Sequence, residues 1–429
     1  MKIWFHTLGC KVNQYETQAM MTLMRAEGFE VGELVSDATV DHDVIVVNSC
    51  TVTGESDRKL RQLLRRYRRN YPNAILVLTG CMPQAFPKQA ENLQEADIVL
   101  GNDSRRQLSH HLRQYWSNGQ RIVSIGEHSK QFEPLSIDEF EGRTRAFLKI
   151  EDGCNRFCTY CIIPYARGRV RSKTPDDLRA EVATLAQNGY REIVLVGINL
   201  TAYGHDLGLS ICDAVDAACS HDGILRVRLG SLEPDMMTDE VIARLAAQPK
   251  LCPQFHLSLQ SGCDDTLKRM HRRYTTKEYA AVCDKLRAAF PDCALTTDVM
   301  VGFPGEDEQE FEQSLAFVRS IAFAQAHVFA YSRRPGTPAD KAPDQVENRI
   351  KAERSRRMID SCEQDRLQFM QSYVGKSVEV LLETKCDENG FVEGYTANYL
   401  PVTVKTTRNA GETVIAVITH IQGDRCIAE

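Results

Sequence analysis

Cys154-Asn155-Arg156-Phe157-Cys158-Thr159-Tyr160-Cys161 is the stretch on which the reading of this chain turns. Three cysteines fall within eight residues, spaced Cys-x3-Cys-x2-Cys, close enough for their thiolates to converge on one metal centre. A structural zinc site completes a four-ligand shell with a further Cys or His at characteristic spacing. Here the next histidine is His205, too far along to belong to a compact loop motif. A four-iron cluster takes a thiolate on each iron. Three cysteines with no fourth nearby therefore suggest a cluster whose last iron stays open for a small ligand. The competing reading is a set of reduced structural thiols.

Outward from that loop, strands and helices alternate from Arg145 onward. A strand over 146–150 precedes the loop, and a helix over 175–188 follows it, with Thr174 as N-cap, Pro175 in its first turn and Gly189 past its end. Further strands are predicted at 192–196, 225–229, 255–259, 294–301 and 326–331, with helices between them. Six such units predict an incomplete parallel barrel, open on one side to admit a macromolecule, with its site at the carboxyl ends of the strands. Gly197-Ile198-Asn199, Ser231-Leu232-Glu233-Pro234, Gln260-Ser261-Gly262 and the segment from Asp298 to Gly305 lie at those ends. Each of them, taken singly, is an ordinary turn.

Residues 1 to about 118 alternate in the same way, which predicts right-handed βαβ units and a largely parallel, doubly wound sheet. Cys10 follows the strand at 3–6, Cys50 the strand at 44–47, and Cys81 the strand at 74–78. Ligands bind beyond the carboxyl ends of such strands, so three cysteines at equivalent places can meet although 40 and 31 residues separate them. Each could also be a small buried residue, but three at matching positions favour a second cluster.

The loop spacing, with Tyr160 before its last cysteine, resembles the cluster loop of the radical S-adenosylmethionine (SAM) superfamily. That resemblance implies a [4Fe-4S] cluster on Cys154, Cys158 and Cys161. SAM would chelate its open iron and be cleaved by one electron to methionine and a 5′-deoxyadenosyl radical. It also points to Tyr160, Asn199, Gln260 and Asp298 as SAM-facing residues. Thr7-Leu8-Gly9-Cys10-Lys11-Val12-Asn13-Gln14-Tyr15-Glu16, Asn48-Ser49-Cys50-Thr51-Val52-Thr53 and Thr79-Gly80-Cys81 resemble the N-terminal domain of the methylthiotransferases. Membership in that family implies an auxiliary [4Fe-4S] cluster on Cys10, Cys50 and Cys81, and replacement of an inert C–H bond by C–SCH3 with two molecules of SAM. The residues after Cys10, with Pro164-Tyr165-Ala166-Arg167-Gly168-Arg169, resemble the branch that acts on N6-threonylcarbamoyladenosine at position 37 of tRNA. The other branches take isopentenyladenosine at that position or an aspartate of a ribosomal protein.

The expected organisation is thus an N-terminal methylthiotransferase domain over 1–120, a linker over 121–143, a radical SAM domain over 144–371 and a small β-barrel over 372–429. The last resembles the RNA-binding TRAM domain, yet it carries five Lys/Arg against eight Asp/Glu, a net charge of −3, a weak phosphate binder by itself. Basic charge gathers elsewhere. Residues 58–69 hold seven cations and no acid, a face suited to phosphate. Arg167, Arg169, Arg171 and Lys173 make a second patch, and Arg349, Lys351, Arg354, Arg356 and Arg357 a third. The net charge of the chain, 52 minus 58, is −6, which argues against a uniformly basic coat.

Fifteen cysteines with no secretory leader in view, and no apolar stretch near the ~20 residues of a membrane span, suggest the cytoplasm. The expected partners are the tRNA anticodon stem-loop, a reductant protein and a sulfur donor, with no membrane. A non-catalytic RNA-binding protein stapled by two metal sites would use the same cysteines, and colour separates the two, since zinc is colourless. No general acid or base is assigned, because the target C–H bond is too weakly acidic for one.

Overall fold

The computed structural model describes residues 1–34, 43–140 and 144–429. The N-terminal sheet has six parallel strands: β1 Lys2–Thr7, β2 Glu30–Glu33, β3 Val44–Ser49, β4 Ile75–Gly80, β5 Ile98–Leu100 and β6 Ile122–Ser124. Their spatial order is β2-β1-β3-β4-β5-β6, so the winding reverses between β1 and β3. Such a switch point is where an open sheet parts its loops and receives a ligand. The sheet is buried on both faces. Val44 and Val46 pack with Ile3, Phe5 and Met20, while Ile45 and Val47 pack with Leu60, Leu64 and Leu76. Period-2 alternation inside an unbroken apolar run gives this result when helices cover both sides.

Strands β2 and β6 escape the sequence pattern because three or four residues carry too little period to register. Strand β6 also extends the N-terminal sheet past the expected boundary at 120, into the expected linker. The rest of that segment is no loose tether either. Leu135, Ile137 and Phe140 are buried in the core of the next domain, and the Tyr15 hydroxyl donates to the Leu135 carbonyl at 2.7 Å. The end of the expected linker, 141–143, lies outside the described residues.

The central domain is built on strands β7 Arg145–Lys149, β8 Glu151–Asp152, β9 Arg171–Ser172, β10 Glu192–Val196, β11 Arg226–Leu229, β12 Ser231–Leu232, β13 Gln254–Leu257, β14 Ala294–Val301 and β15 Gln325–Ala330. Strands β8 and β9 form a short antiparallel pair that closes the base of the cysteine loop. The others curve as two parallel sheets, β11-β10-β7 and β12-β13-β14-β15. One bent run joins them: β11 pairs with β10, and past Gly230 β12 pairs with β13. Six βα units are present, as the alternation predicts, and among the described residues β7 and β15 do not pair, leaving the barrel open. Thr174 caps the helix Pro175–Gln187, accepting the Asp177 N–H at 3.2 Å.

Strands β16 Ser377–Leu382, β17 Phe391–Thr396, β18 Pro401–Lys405, β19 Thr413–Gln422 and β20 Arg425–Ala428 form a closed barrel in the order β16-β17-β18-β20-β19. It docks on the amino ends of β7, β10 and β11 through cations. Arg228 donates to Glu192 and to the Ala397 carbonyl, both at 2.9 Å, and its guanidinium lies 4.8 Å from the Tyr399 ring centre. Arg145 sits over the stacked rings of Tyr395 and Tyr399. The fold is therefore mixed α/β in three parts.

Candidate active site

Each cysteine of the first trio follows a parallel strand. Cys10 precedes helix α1 (Lys11–Ala26), Cys50 follows β3, and Cys81 opens the turn after β4. Gly9 and Gly80 set the first and third in place, at φ of 115° and 100°. A Cβ on Gly9 would sit 2.7 Å from Cys50 Cβ, and one on Gly80 would sit 2.4 Å from the Ser49 carbonyl oxygen, so only glycine fits either position. The Cys10 and Cys81 thiols both point at Asn13 Oδ1, at 3.8 and 4.0 Å. Topology thus brings together residues that sequence separates, at the switch point between β1 and β3.

The second trio is local. Cys154 Sγ accepts from the Arg156 N–H at 3.4 Å and from Asn199 Nδ2 at 3.9 Å. Cys158 Sγ accepts from Arg272 Nη1 at 3.4 Å, a guanidinium that Glu233 and the Ser258 carbonyl also hold. Burial pushes the Cys154 thiol up to about 11 and the Cys81 and Cys161 thiols up to about 12. Such thiols ionise when a metal centre supplies positive charge. Both donor sets fit [4Fe-4S] clusters: three sulfurs each, with N–H donors aimed at sulfur around the second, of the kind that tunes such clusters.

A cavity of about 250 Å³ opens beside Cys161, walled by Tyr160, Gln260, Asp298, Met300 and Tyr331. Three of the four residues expected to face SAM share it. The fourth, Asn199, sits instead beside Cys154. Gln260 is fixed in a left-handed conformation, φ 67°, by a backbone pair: its N–H donates to the Asp298 carbonyl and its carbonyl accepts from Met300.

Glu151 lies under Asn199, where its Oε2 accepts the Ile198 and Asn199 N–H groups at 2.7 Å each. Burial raises its carboxyl to about 8. Folding stability supplied by the protonated form is complete below the unfolded value of about 4.3 and is lost as pH rises through the folded one. Glu151→Gln keeps an acceptor without the charge. Its melting temperature relative to wild type should climb between about pH 5 and about pH 8, each pH unit adding up to about 1.4 kcal/mol. A constant difference across that range would refute the protonated state.

The sequence missed a buried ionic cluster that joins the two trios. Arg167 and Arg171 are buried, not displayed for phosphate as the second basic patch required. Arg167 donates to Glu16 at 2.7 and 3.0 Å, to Asp152 at 3.1 Å and to Asn13 Oδ1 at 2.7 Å. Arg171 donates to the carbonyls of Ser129 and Arg167, and Lys173 pairs with Glu181. Only Arg169 of that patch faces outward, its guanidinium over the Phe157 ring. The third patch is thinned to Arg349 and Arg356, which remain exposed. Arg354 is buried on Glu306, Lys351 is buried beside Tyr331, and Arg357 is paired with Glu308 and Glu312. In helix α2 (Gly54–Asn70), Arg58, Arg65 and Arg68 pair with Glu55, Glu95 and Asp97, leaving a thinner basic face than composition suggested. Adjacency in sequence does not fix which side of a chain a cation takes.

An open barrel of six parallel strands, with three cysteines in the loop after its first strand, defines the radical SAM class. The family model described as Radical SAM superfamily matches residues 148–318, and that described as Uncharacterized protein family UPF0004 matches 2–101. A Bacillus subtilis threonylcarbamoyladenosine tRNA methylthiotransferase, MtaB, is 40% identical, covering 94% of this chain and 90% of its own. The Thermotoga maritima protein of the same name is 38% identical over 92% and 89%. A Clostridium botulinum tRNA-2-methylthio-N(6)-dimethylallyladenosine synthase is 35% identical over 90% and 88%. Among solved structures, the radical SAM methyltransferase TsrM from Kitasatospora setae shares the fold, with a TM-score of 0.57 at 15% identity over 79% of this chain and 74% of that one. This chain belongs to the radical SAM methylthiotransferase family, and it is a transferase enzyme.

Proposed function

We propose that this enzyme converts N6-threonylcarbamoyladenosine at position 37 of tRNA to its 2-methylthio derivative, with a second [4Fe-4S] cluster on Cys10, Cys50 and Cys81. The observation that carries this reading is the meeting of two cysteine trios, one after β7 and one at the carboxyl end of the N-terminal sheet. The cavity beside Cys161 is also lined by Val52 and Thr53, from the loop after Cys50, and Asp298 is shared with the neighbouring cavity that Cys10 lines. The relatives named for threonylcarbamoyladenosine, at 40% and 38% identity, favour that substrate over dimethylallyladenosine at 35%.

When bound, the clusters and SAM supply the one-electron and sulfur chemistry that an inert C–H bond requires. The chain's own residues position and shield them. Tyr160, Gln260 and Asp298 wall the space for SAM, with Asn199 beside its cluster ligand Cys154. Arg272 sets a cation against Cys158. The open side of the barrel receives an unpaired base, the form in which RNA loops are read. Lys59, Arg61 and Arg69 of α2, exposed or half-exposed, supply phosphate contacts, and the TRAM-like barrel lies against the floor of the same domain. A reductant protein and a sulfur donor complete the reaction in the cytoplasm. No described helix is long and apolar enough to cross a membrane.

The deciding experiment offers the anaerobically reconstituted enzyme two tRNAs, one with and one without the threonylcarbamoyl group. Methylthio product is expected on the first alone. Equal product on both, or product on isopentenyladenosine tRNA only, would remove the substrate assignment.

A further inference from the structure

Next to Cys10, a cavity of about 390 Å³ runs down the barrel lumen. Its polar groups gather on one wall, and Val12, Val196 and Leu229 line the rest. Strands β13, β14 and β15 turn alternate residues inward (Gln254 and His256, Thr296 and Asp298, Gln325 and His327), as period-2 geometry requires. His256 stands between Thr296 Oγ1 at 3.1 Å and Asp298 Oδ2 at 3.4 Å. Arg228 reaches the cavity but is committed to Glu192 and to two carbonyls of the C-terminal barrel. Lys11 enters from the opposite wall, next to Cys10, its ammonium 5.6 Å from the Phe147 ring centre. It also lines the adjoining cavity of about 400 Å³ that Tyr399 and Gln325 share. It opens the 16-residue helix α1, whose dipole favours an anion at that end. Burial, with His256 and Lys11 adding to it, pushes the His327 imidazole down although Asp298 opposes, so His327 adds no full charge of its own at neutral pH.

A purely hydrocarbon substituent would strip water from these groups and give nothing back, a costly exchange for buried polar atoms. A substituent with a urea and a carboxylate would satisfy them. We propose that the lumen binds the N6 substituent of the target adenine, and that Lys11 is the specificity-determining residue that pairs with its carboxylate, with Gln325 and His327 meeting its urea and hydroxyl groups. This rests on the threonylcarbamoyl reading and adds to it the residue that selects the acid.

The test uses the cluster-loaded enzyme and an anticodon stem-loop RNA carrying threonylcarbamoyladenosine, either as the free acid or as its methyl ester. Wild type should bind the acid at least about tenfold more tightly, a difference of about 1.4 kcal/mol, with the same ratio in KM. Lys11→Met should reduce that preference to within about twofold, and Lys11→Arg should keep most of it. Iron content equal to wild type qualifies each variant. Should Lys11→Met fail to load iron, loss of the acid preference in Lys11→Arg at full iron content would count against the charge, and retention would count for it. Equal binding of acid and ester by wild type, or an undiminished preference in Lys11→Met, overturns the assignment. Failure of the underlying function looks different: wild type then makes no methylthio product on the acid RNA at all.

Discussion

Cys50→Ala is expected to leave SAM cleavage near its wild-type rate while methylthio product falls to background. Cys154→Ala, Cys158→Ala or Cys161→Ala should abolish both. The asymmetry follows from where the two trios stand. Cys154, Cys158 and Cys161 share one loop beside the cavity of Tyr160, Gln260 and Asp298, so losing any one removes the centre next to which SAM must bind. Cys50 packs against Gly9 after β3, in the N-terminal domain and outside that loop. Its loss should lower iron from about eight to about four per chain, one cubane fewer. Iron content, visible absorbance and 5′-deoxyadenosine yield check this together. If the Cys50 variant kept all its iron, or if it stopped cleaving SAM, the two trios would not be separate centres.

The difference between the trios also explains what a reader of the sequence can see. The loop trio is legible because its ligands are neighbours, and spacing alone announces it. The other trio is legible only through topology: each cysteine sits one step past a strand, and parallel sheets gather such steps. The barrel strands show as short apolar stretches alternating with helices, and Thr174 with Pro175 marks one helix start to the residue. The short edge strands β2 and β6 do not show, having too few residues for a period. The basic patches mislead for a deeper reason. Arg167, Arg171 and Lys173 look like a phosphate grip, but Asp152 and Glu181 meet them within the barrel domain, and Glu16, 151 residues from Arg167, joins only when the domains dock. Lys11 is hidden in another way. Nothing in a helix start says that its side chain faces a lumen built from strands that begin at Gln254, Ala294 and Gln325.

Arg167→Met should be the most damaging single change away from the cysteines. The guanidinium is fully buried and binds Glu16 of the N-terminal domain, Asp152 of the barrel and Asn13 Oδ1, the atom at which the Cys10 and Cys81 thiols point. Burial works against the Glu16 carboxylate, but Arg105, Arg167 and Lys149 together hold it well below the usual carboxylate range. That depressed value stabilises the fold above the unfolded value of about 4.3 and is lost as pH falls. Removing one partner of a buried ion pair leaves charge without compensation and costs about 3–5 kcal/mol. The expected result at neutral pH is a lower urea midpoint for the anaerobic holoprotein, with a weaker loss of stability on acidification, because Glu16 then has less to lose. Iron at the Cys10 trio should fall as well, since Asn13 Oδ1, beside two of its thiols, loses the guanidinium that donates to it. Arg167→Lys retains charge but cannot fork across three partners, so it should lie between Arg167→Met and wild type in both midpoint and iron content. If Arg167→Met kept the wild-type midpoint and full iron, the ionic cluster would not be what locks the two cysteine-bearing domains together.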